Sequence, residues 1–330
     1  MRRSLLAVPA ALLLGLTGAC GTTAPAATDP ASEEAGSGGG EAVSVVDDRG
    51  ETVELDAPAE EVVALEWGLA ENLVALGVMP VGVADVEGFG TWNDAVELDE
   101  GVVDVGTRGE PSVDAIIGLD PELVVTTTDL PETIINQLED VGLPVVALKG
   151  SNADDPLGHL ERTVDVLAEA TGTVDKGEQL LADLDATIQD GRAALAEAGL
   201  EDAKFAMADG WQDGGAVSIR MFTQGSLLGA LAGELGLVNA WEGEGDAVYG
   251  LQSTDVEGLT QLGDVHFLYI ANDSAQPDPF TEGLAGNAVW NGLPFVEAGN
   301  VHRLPDGIWM FGGPRSAEQY VTAVVEALTA

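Results

Sequence analysis

At roughly 150 residues per domain, a chain of 330 residues corresponds to about two domains, and its 45% hydrophobic content supplies packed cores, so a wholly disordered chain is excluded. Fifty-seven acidic residues stand against 12 basic ones, a formal net charge of −45. So few cations cannot line a nucleic-acid face or a basic membrane-binding patch, which excludes both classes.

Met1-Arg2-Arg3 is a short positive start, and Leu5 to Leu16 is an apolar run of signal-peptide length, too short to span a bilayer comfortably. Leu16-Thr-Gly-Ala-Cys20 resembles a bacterial lipobox, with Thr17 where leucine is commoner. The resemblance implies cleavage before Cys20, leaving a leader over 1–19, and lipid on that cysteine. Several acyl chains on one residue would hold the chain on the outer face of the cell membrane. Residues 20–43 then read as the lipidated cysteine and a flexible tether rich in Thr, Ala, Pro, Ser, Glu and Gly.

Two β-rich runs, Ala42 to Asp47 and Glu51 to Leu55, flank a turn at Asp48-Arg-Gly50 and predict a hairpin. Val62 to Leu65 is an apolar run. The helical spacing of Leu69 to Leu76 stops at Gly77, and Pro80 to Ala84 reads as a strand. Ser112 caps a predicted helix to Gly118. Leu123 to Thr126 and Val145 to Leu148 are predicted strands around a helix over Pro131 to Val141. This alternation of strand and helix implies a parallel α/β sheet over residues 44–153. Residues 154–198 carry helical stripes at Leu160, Val164 and Leu167, and again at Leu180, Leu184 and Ile188. They read as one long helix, or two in tandem broken near Thr171-Gly172. The α/β pattern resumes over residues 199–330. Strands are predicted near Lys204, Ala216, Val265 and Val301, and helices over Ser226–Leu235, Asp255–Leu262 and Ser316–Leu328. The Ser112 and Asp255 segments echo each other. The fold class is α/β, with two lobes built on parallel-type central sheets, a long rigid connecting helix and a ligand cleft between the lobes.

Several segments, taken in order, carry a family resemblance. They are Val63-Ala-Leu-Glu-Trp67, Asp104-Val-Gly-Thr-Arg-Gly-Glu-Pro-Ser112, Gly236-Leu-Val-Asn-Ala-Trp241, Trp290-Asn-Gly-Leu-Pro-Phe295 and Ile308-Trp-Met-Phe-Gly-Gly313. Together they resemble the siderophore-binding lipoproteins of bacterial ABC importers, within the helical-backbone periplasmic-binding-protein family. The resemblance is greatest to the ferric hydroxamate binders and runs from about Val43 to the C-terminus. It implies a monomer that captures a ferric siderophore and delivers it to a membrane permease with its cytoplasmic ATPase. No cofactor and no enzymatic activity are implied.

A ferric hydroxamate has its iron fully coordinated, so the protein need not ligate the metal. It needs donors for hydroxamate oxygens and apolar walls, tasks suited to arginine and tryptophan. The resemblance makes Arg108 the leading donor. Trp67, Trp241 and Trp309 are candidate walls, Phe311 stands where a tyrosine is commoner, and Trp92 is a candidate rim residue in a loop. Arg220, at a predicted strand end, is a second candidate donor. Asp129 stands where the family tends to place a tyrosine. Trp211 has no assignment, and Trp290 reads as structural. For docking on permease arginines, the echoed helices point to Asp114 and Glu257, with Glu110 as the alternative in the first lobe. The acidity of the chain favours neutral or cationic siderophores over anionic ones.

Haem or cobalamin capture by the same fold is the rival reading. Tyr249, Tyr269 and Tyr320 lie outside the matched cleft segments, which ranks haem lower. His159, His266 and His302 form no local ligand spacing, which disfavours free metal import. An exported enzyme finds no G-x-S-x-G elbow, and its acid pairs are explained by the sheer number of carboxylates. A passive acidic surface protein would not need the cleft motifs.

Overall fold

The computed structural model describes residues 41–330, so the leader expected at 1–19, Cys20 and nearly all of the expected tether lie outside the described residues. The described chain opens on an antiparallel hairpin, β1 (Val43–Val46) and β2 (Thr52–Leu55). Asp47 closes its turn by accepting from the backbone N–H of Arg49 and of Glu51, and Gly50 takes the left-handed φ of 82°.

The first lobe follows in strict alternation. It comprises β3 (Val62–Ala64), α1 (Trp67–Leu76), β4 (Gly82–Val83), α2 (Val86–Trp92), β5 (Val103–Asp104), α3 (Val113–Gly118), β6 (Leu123–Thr127), α4 (Glu132–Asp140) and β7 (Val145–Leu148). The strands form a parallel sheet in the order β5-β4-β3-β6-β7. Strands β3, β6 and β7 are buried along their whole length, as their unbroken apolar runs require when both faces are covered. The chain leaves β3 in one direction for β4 and returns on its other side as β6. The crevice beyond the carboxyl ends of β3 and β6 is therefore a topological switch point, a favoured place for ligands. Asp47 and Asp48 accept from the N–H groups of Ala147 and Lys149, so the hairpin covers the outer edge of β7.

Trp92 was expected in a loop, yet it ends α2. Two glycines hide that helix from any propensity argument. Asp85 caps it by accepting from Gly88 N–H at 3.1 Å, and Gly88 must lack a side chain because a Cβ there would strike the ring of Trp67.

The connection is two helices in tandem, α5 (Pro156–Thr171) and α6 (Val174–Glu197), rather than one continuous rod. Gly172 takes a φ of 68° between them, and a Cβ there would approach Pro58 to 2.9 Å. The helices pack where Gly177 faces Ala168 and Val164.

The second lobe contains β8 (Lys204–Asp213), β9 (Ala216–Phe222), α7 (Leu227–Glu234), β10 (Val238–Asn239), β11 (Leu251–Thr254), β12 (His266–Tyr269), α8 (Ala288–Asn291), α9 (Pro294–Glu297), β13 (Val301–Arg303) and α10 (Pro314–Thr329). Its sheet runs β11-β9-β8-β12-β13, with β10 beside the start of β8. This sheet is mixed, where a parallel type was expected. Gly214 and Gly215, with φ of 55° and 91°, turn the chain back in two residues, so β9 and then β11 pair antiparallel. The helix expected over 255–262 is only a 3-10 turn at Gly258–Gln261. Asp255 accepts from Gly258 N–H, and the Thr260 hydroxyl donates to the Glu257 carbonyl, so side chains compete for the groups a helix would use.

A polar staple joins α1 to the start of α10. The Glu71 carboxylate is fully buried and accepts from Gly313 N–H (3.0 Å), Ser316 N–H (2.8 Å), Ser316 Oγ (2.6 Å) and Asn93 Nδ2 (2.7 Å). Burial pushes this carboxyl up from its ordinary value, while the donors pull it down.

Candidate functional site

At the switch point of the first sheet, β3 ends and Glu66 caps α1, accepting from Trp67 N–H at 3.0 Å. The indole N–H of Trp67 donates to the carbonyls of Ala84 (3.0 Å) and Asp85 (3.1 Å), which fixes its ring. Arg108 rides on a tight turn after β5. There Gly106 takes a φ of 101°, Glu110 N–H donates to the Thr107 carbonyl, and Ser112 N–H returns to Val105. The guanidinium lies 3.8 Å over the Trp67 ring and donates to Glu66 Oε1 at 2.9 Å. That is one of its five N–H donors, and no other is used among the described residues. Trp309 meets Trp67 edge-on at 4.8 Å, and its own buried indole N–H has no partner among the described residues.

The second sheet supplies the opposite side. Asp209 on β8 and Arg220 on β9 are directly paired in register. Both ends of the Arg220 fork engage the Asp209 carboxylate, Nε at 2.9 Å. Phe311 lies 5.3 Å from the Arg220 guanidinium and is edge-on to Trp309 at 5.2 Å. Burial pushes the carboxyls of Glu66 and Asp209 up from their ordinary values, against the pull of the arginine each one holds.

These groups enclose one cavity of about 470 Å³, within the size range of small-molecule sites. The structure thus brings together Arg108, Arg220, Trp67, Trp92, Trp309 and Phe311 from segments spread over the whole chain. Trp241 is not among them. It is buried in the core of the second lobe, where its indole N–H donates to Gln252 Oε1 at 2.8 Å. Trp290 belongs to the same core.

Two aromatic residues that sequence reasoning left out line the cavity, Trp211 and Tyr249. Tyr249 comes from the segment between β10 and β11, and its hydroxyl donates to Asp129, just beyond β6. This hydrogen bond crosses from the second lobe to the first. No local pattern announces it, because the partners lie 120 residues apart. Burial, then the bond to Asp129 and its charge, push the Tyr249 phenol up, so it stays protonated. Asp114 and Glu110 are exposed on α3 and the Arg108 turn, and Glu257 is exposed at the start of the 3-10 turn.

Gly68 sets the floor of the site. A Cβ there would run into the carbonyl oxygen of Phe311. Alanine gains about 1 kcal/mol in a helix interior, but a clash with backbone costs about 1–3 kcal/mol. Gly68→Ala is therefore expected to lower stability and displace Phe311. A lower urea midpoint together with altered tryptophan emission would check this, and an unchanged midpoint would refute it.

The family profile described as "Periplasmic binding protein" matches residues 62–307, from β3 to the end of the second sheet. The chain belongs to this periplasmic binding protein family. Among curated relatives, the iron(3+)-hydroxamate-binding protein FhuD of Escherichia coli is 26% identical over 81% of this chain and 86% of its own length. The Fe(3+)-citrate-binding protein YfmC of Bacillus subtilis is 26% identical over 82% of this chain and 81% of its own. Among solved structures, the Fe3+-Desferal-bound FhuD of Vibrio cholerae superposes with a TM-score of 0.72 at 24% identity. That match covers 82% of this chain and 98% of the other, which establishes a shared fold.

Proposed function

We propose that this periplasmic binding protein captures a ferric siderophore, of hydroxamate type, outside the cytoplasmic membrane and hands it to an ABC importer for iron uptake. The observation that carries the reading is the pair of arginines from opposite lobes, Arg108 and Arg220, set among tryptophan and phenylalanine rings around one cavity. Arginine does not ligate ferric iron. It donates to the hydroxamate oxygens of a complex whose metal is already saturated, while the rings cover the apolar body. Capture of this kind needs no cofactor and makes or breaks no bond, so the protein acts as a carrier rather than an enzyme. The E. coli relative named for hydroxamate binding supports this choice of cargo.

In this reading Cys20 carries the lipid anchor, and the glycine-rich segment before residue 41 spaces the body from the membrane. Asp114 and Glu257, with Glu110 as alternative, meet arginines on the permease, and the protein works as a monomer. Haem is the weaker reading. Tyr249 is the tyrosine lining the cavity, and a phenol held protonated by burial and by Asp129 is a poor axial ligand for ferric haem.

Titrating the Cys20-less protein while following tryptophan fluorescence tests the proposal. Saturable quenching by a ferric trihydroxamate, and weaker response to a ferric catecholate, supports it. Binding of haem or cobalamin without the hydroxamate would overturn the cargo and keep the carrier role.

A further inference from the structure

Two of the carboxylates at the cavity are already matched. Glu66 holds Arg108 at 2.9 Å, and Asp209 holds Arg220 in a fork. A third carboxylate stands beside them without a cation. Asp129 is exposed at the carboxyl end of β6, and its one hydrogen-bond donor among the described residues is the Tyr249 hydroxyl, on Oδ2. That donor is neutral. Asp129 makes no salt bridge among the described residues, and neither does nearby Lys149, whose side chain lines a small adjoining cavity with His159 and Thr163. Tyr249 itself is firmly seated. Its hydroxyl lies against the bare backbone of Gly150, where a Cβ would collide with it, and its ring is edge-on to Phe311 at 5.3 Å. Beside the cavity there is therefore one carboxylate in a fixed position without an ion-pair partner, with the arginine charges cancelled by their own acids and the unpaired Lys149 lining the adjoining cavity.

A ferric trihydroxamate core is electrically neutral, because the hydroxamate monoanions balance the metal. Any net charge on such a ligand sits on its chain or tail. We propose that Asp129, held in place by Tyr249, makes this site selective for ferric hydroxamates that carry a cationic group such as a primary ammonium. The carboxylate pairs with the ammonium while Arg108 and Arg220 address the coordinated oxygens. This inference rests on the ferric hydroxamate reading above and adds the charge class of the ligand.

The test compares ferrioxamine B, a linear trihydroxamate complex with a terminal ammonium, with its N-acetylated, neutral form. Both are titrated by tryptophan quenching at physiological ionic strength, where long-range attraction by the acidic surface is screened beyond about 8 Å. The wild type is expected to favour the ammonium form by about fivefold, the upper end of what an exposed ion pair contributes. Asp129→Asn is expected to bring the two forms within about twofold, with the acetylated form bound as before. Tyr249→Phe, which frees Asp129, is expected to reduce the preference partway. Glu178→Gln, the same charge loss at an exposed site on α6, is expected to leave it intact. Equal binding of both forms by the wild type, or a preference that survives Asp129→Asn, would overturn the inference and leave hydroxamate capture standing. Binding of neither form would overturn both.

Discussion

Replacing Glu71 with alanine is expected to cost the folded protein about 4 kcal/mol, read as a large fall in the urea midpoint. The carboxylate receives hydrogen bonds from Gly313 N–H, Ser316 N–H, Ser316 Oγ and Asn93 Nδ2, all inside the protein. Alanine leaves these donors buried and unmatched, and each orphaned group costs about 1–3 kcal/mol. Such a negative group at the first turn of α10 is also favoured by the helix dipole. Glu71→Gln keeps the shape and one acceptor oxygen, and the Ser316 hydroxyl and Asn93 amide can turn to meet its NH2, so about 1–2 kcal/mol is expected. The pH dependence has a definite sign. Burial raises the folded carboxyl above its ordinary 4.5, so the folded state holds the proton more tightly than the unfolded chain. The stability this contributes is complete below 4.5 and is lost as pH rises through the raised folded value. Glutamine does not titrate. The advantage of wild type over Glu71→Gln should therefore be largest in acid and narrow towards neutrality. Urea unfolding of both proteins on either side of that window measures it, and a gap that widens with pH would contradict the account.

The staple also shows what sequence alone can and cannot reveal. The first sheet was legible because buried parallel strands demand unbroken apolar runs, and Val62–Leu65, Leu123–Thr126 and Val145–Leu148 stand out between turn residues. Some helix ends were legible where a glycine had to go left-handed, as at Gly77 and Gly236, both with a φ of 86°. That Arg108 lines the cavity was legible only through the family resemblance of its segment, Asp104 to Ser112. What failed was any property decided by distant partners. Glu71 reads as one more solvated acid until α10 is laid against it. Trp241 and Trp309 are the same residue type in equally suggestive segments, yet one indole N–H faces Gln252 in a core and the other ring lines the cavity. His266 and His302 showed no ligand spacing, yet neighbouring strands β12 and β13 bring their rings within 3.2 Å, Nδ1 to Nε2. The mixed character of the second sheet turned on two glycines, Gly214 and Gly215, whose turn type only their dihedral angles declare.

Arg108→Ala is expected to weaken ferric hydroxamate binding by about a hundredfold, and Arg108→Lys by nearly as much. A hydrogen bond to a charged donor contributes about 1.5–3 kcal/mol, which is roughly one to two powers of ten in affinity. Alanine removes that donor and leaves Glu66 as a half-buried carboxylate facing the ligand oxygens, a repulsion the wild type does not have. Lysine keeps the charge but loses the geometry. Its ammonium cannot lie flat 3.8 Å over the Trp67 ring while offering a planar fork to the cavity. Arg220→Ala is expected to cost less, about tenfold, because both ends of that fork are already engaged by Asp209 and fewer donors remain for a ligand. The ordering separates this arrangement from simple charge steering, since both arginines carry the same charge. Fluorescence titrations of the variants, with urea midpoints to verify folding, measure it. A lysine variant that binds like wild type would remove the stacked guanidinium from the mechanism and leave only its charge.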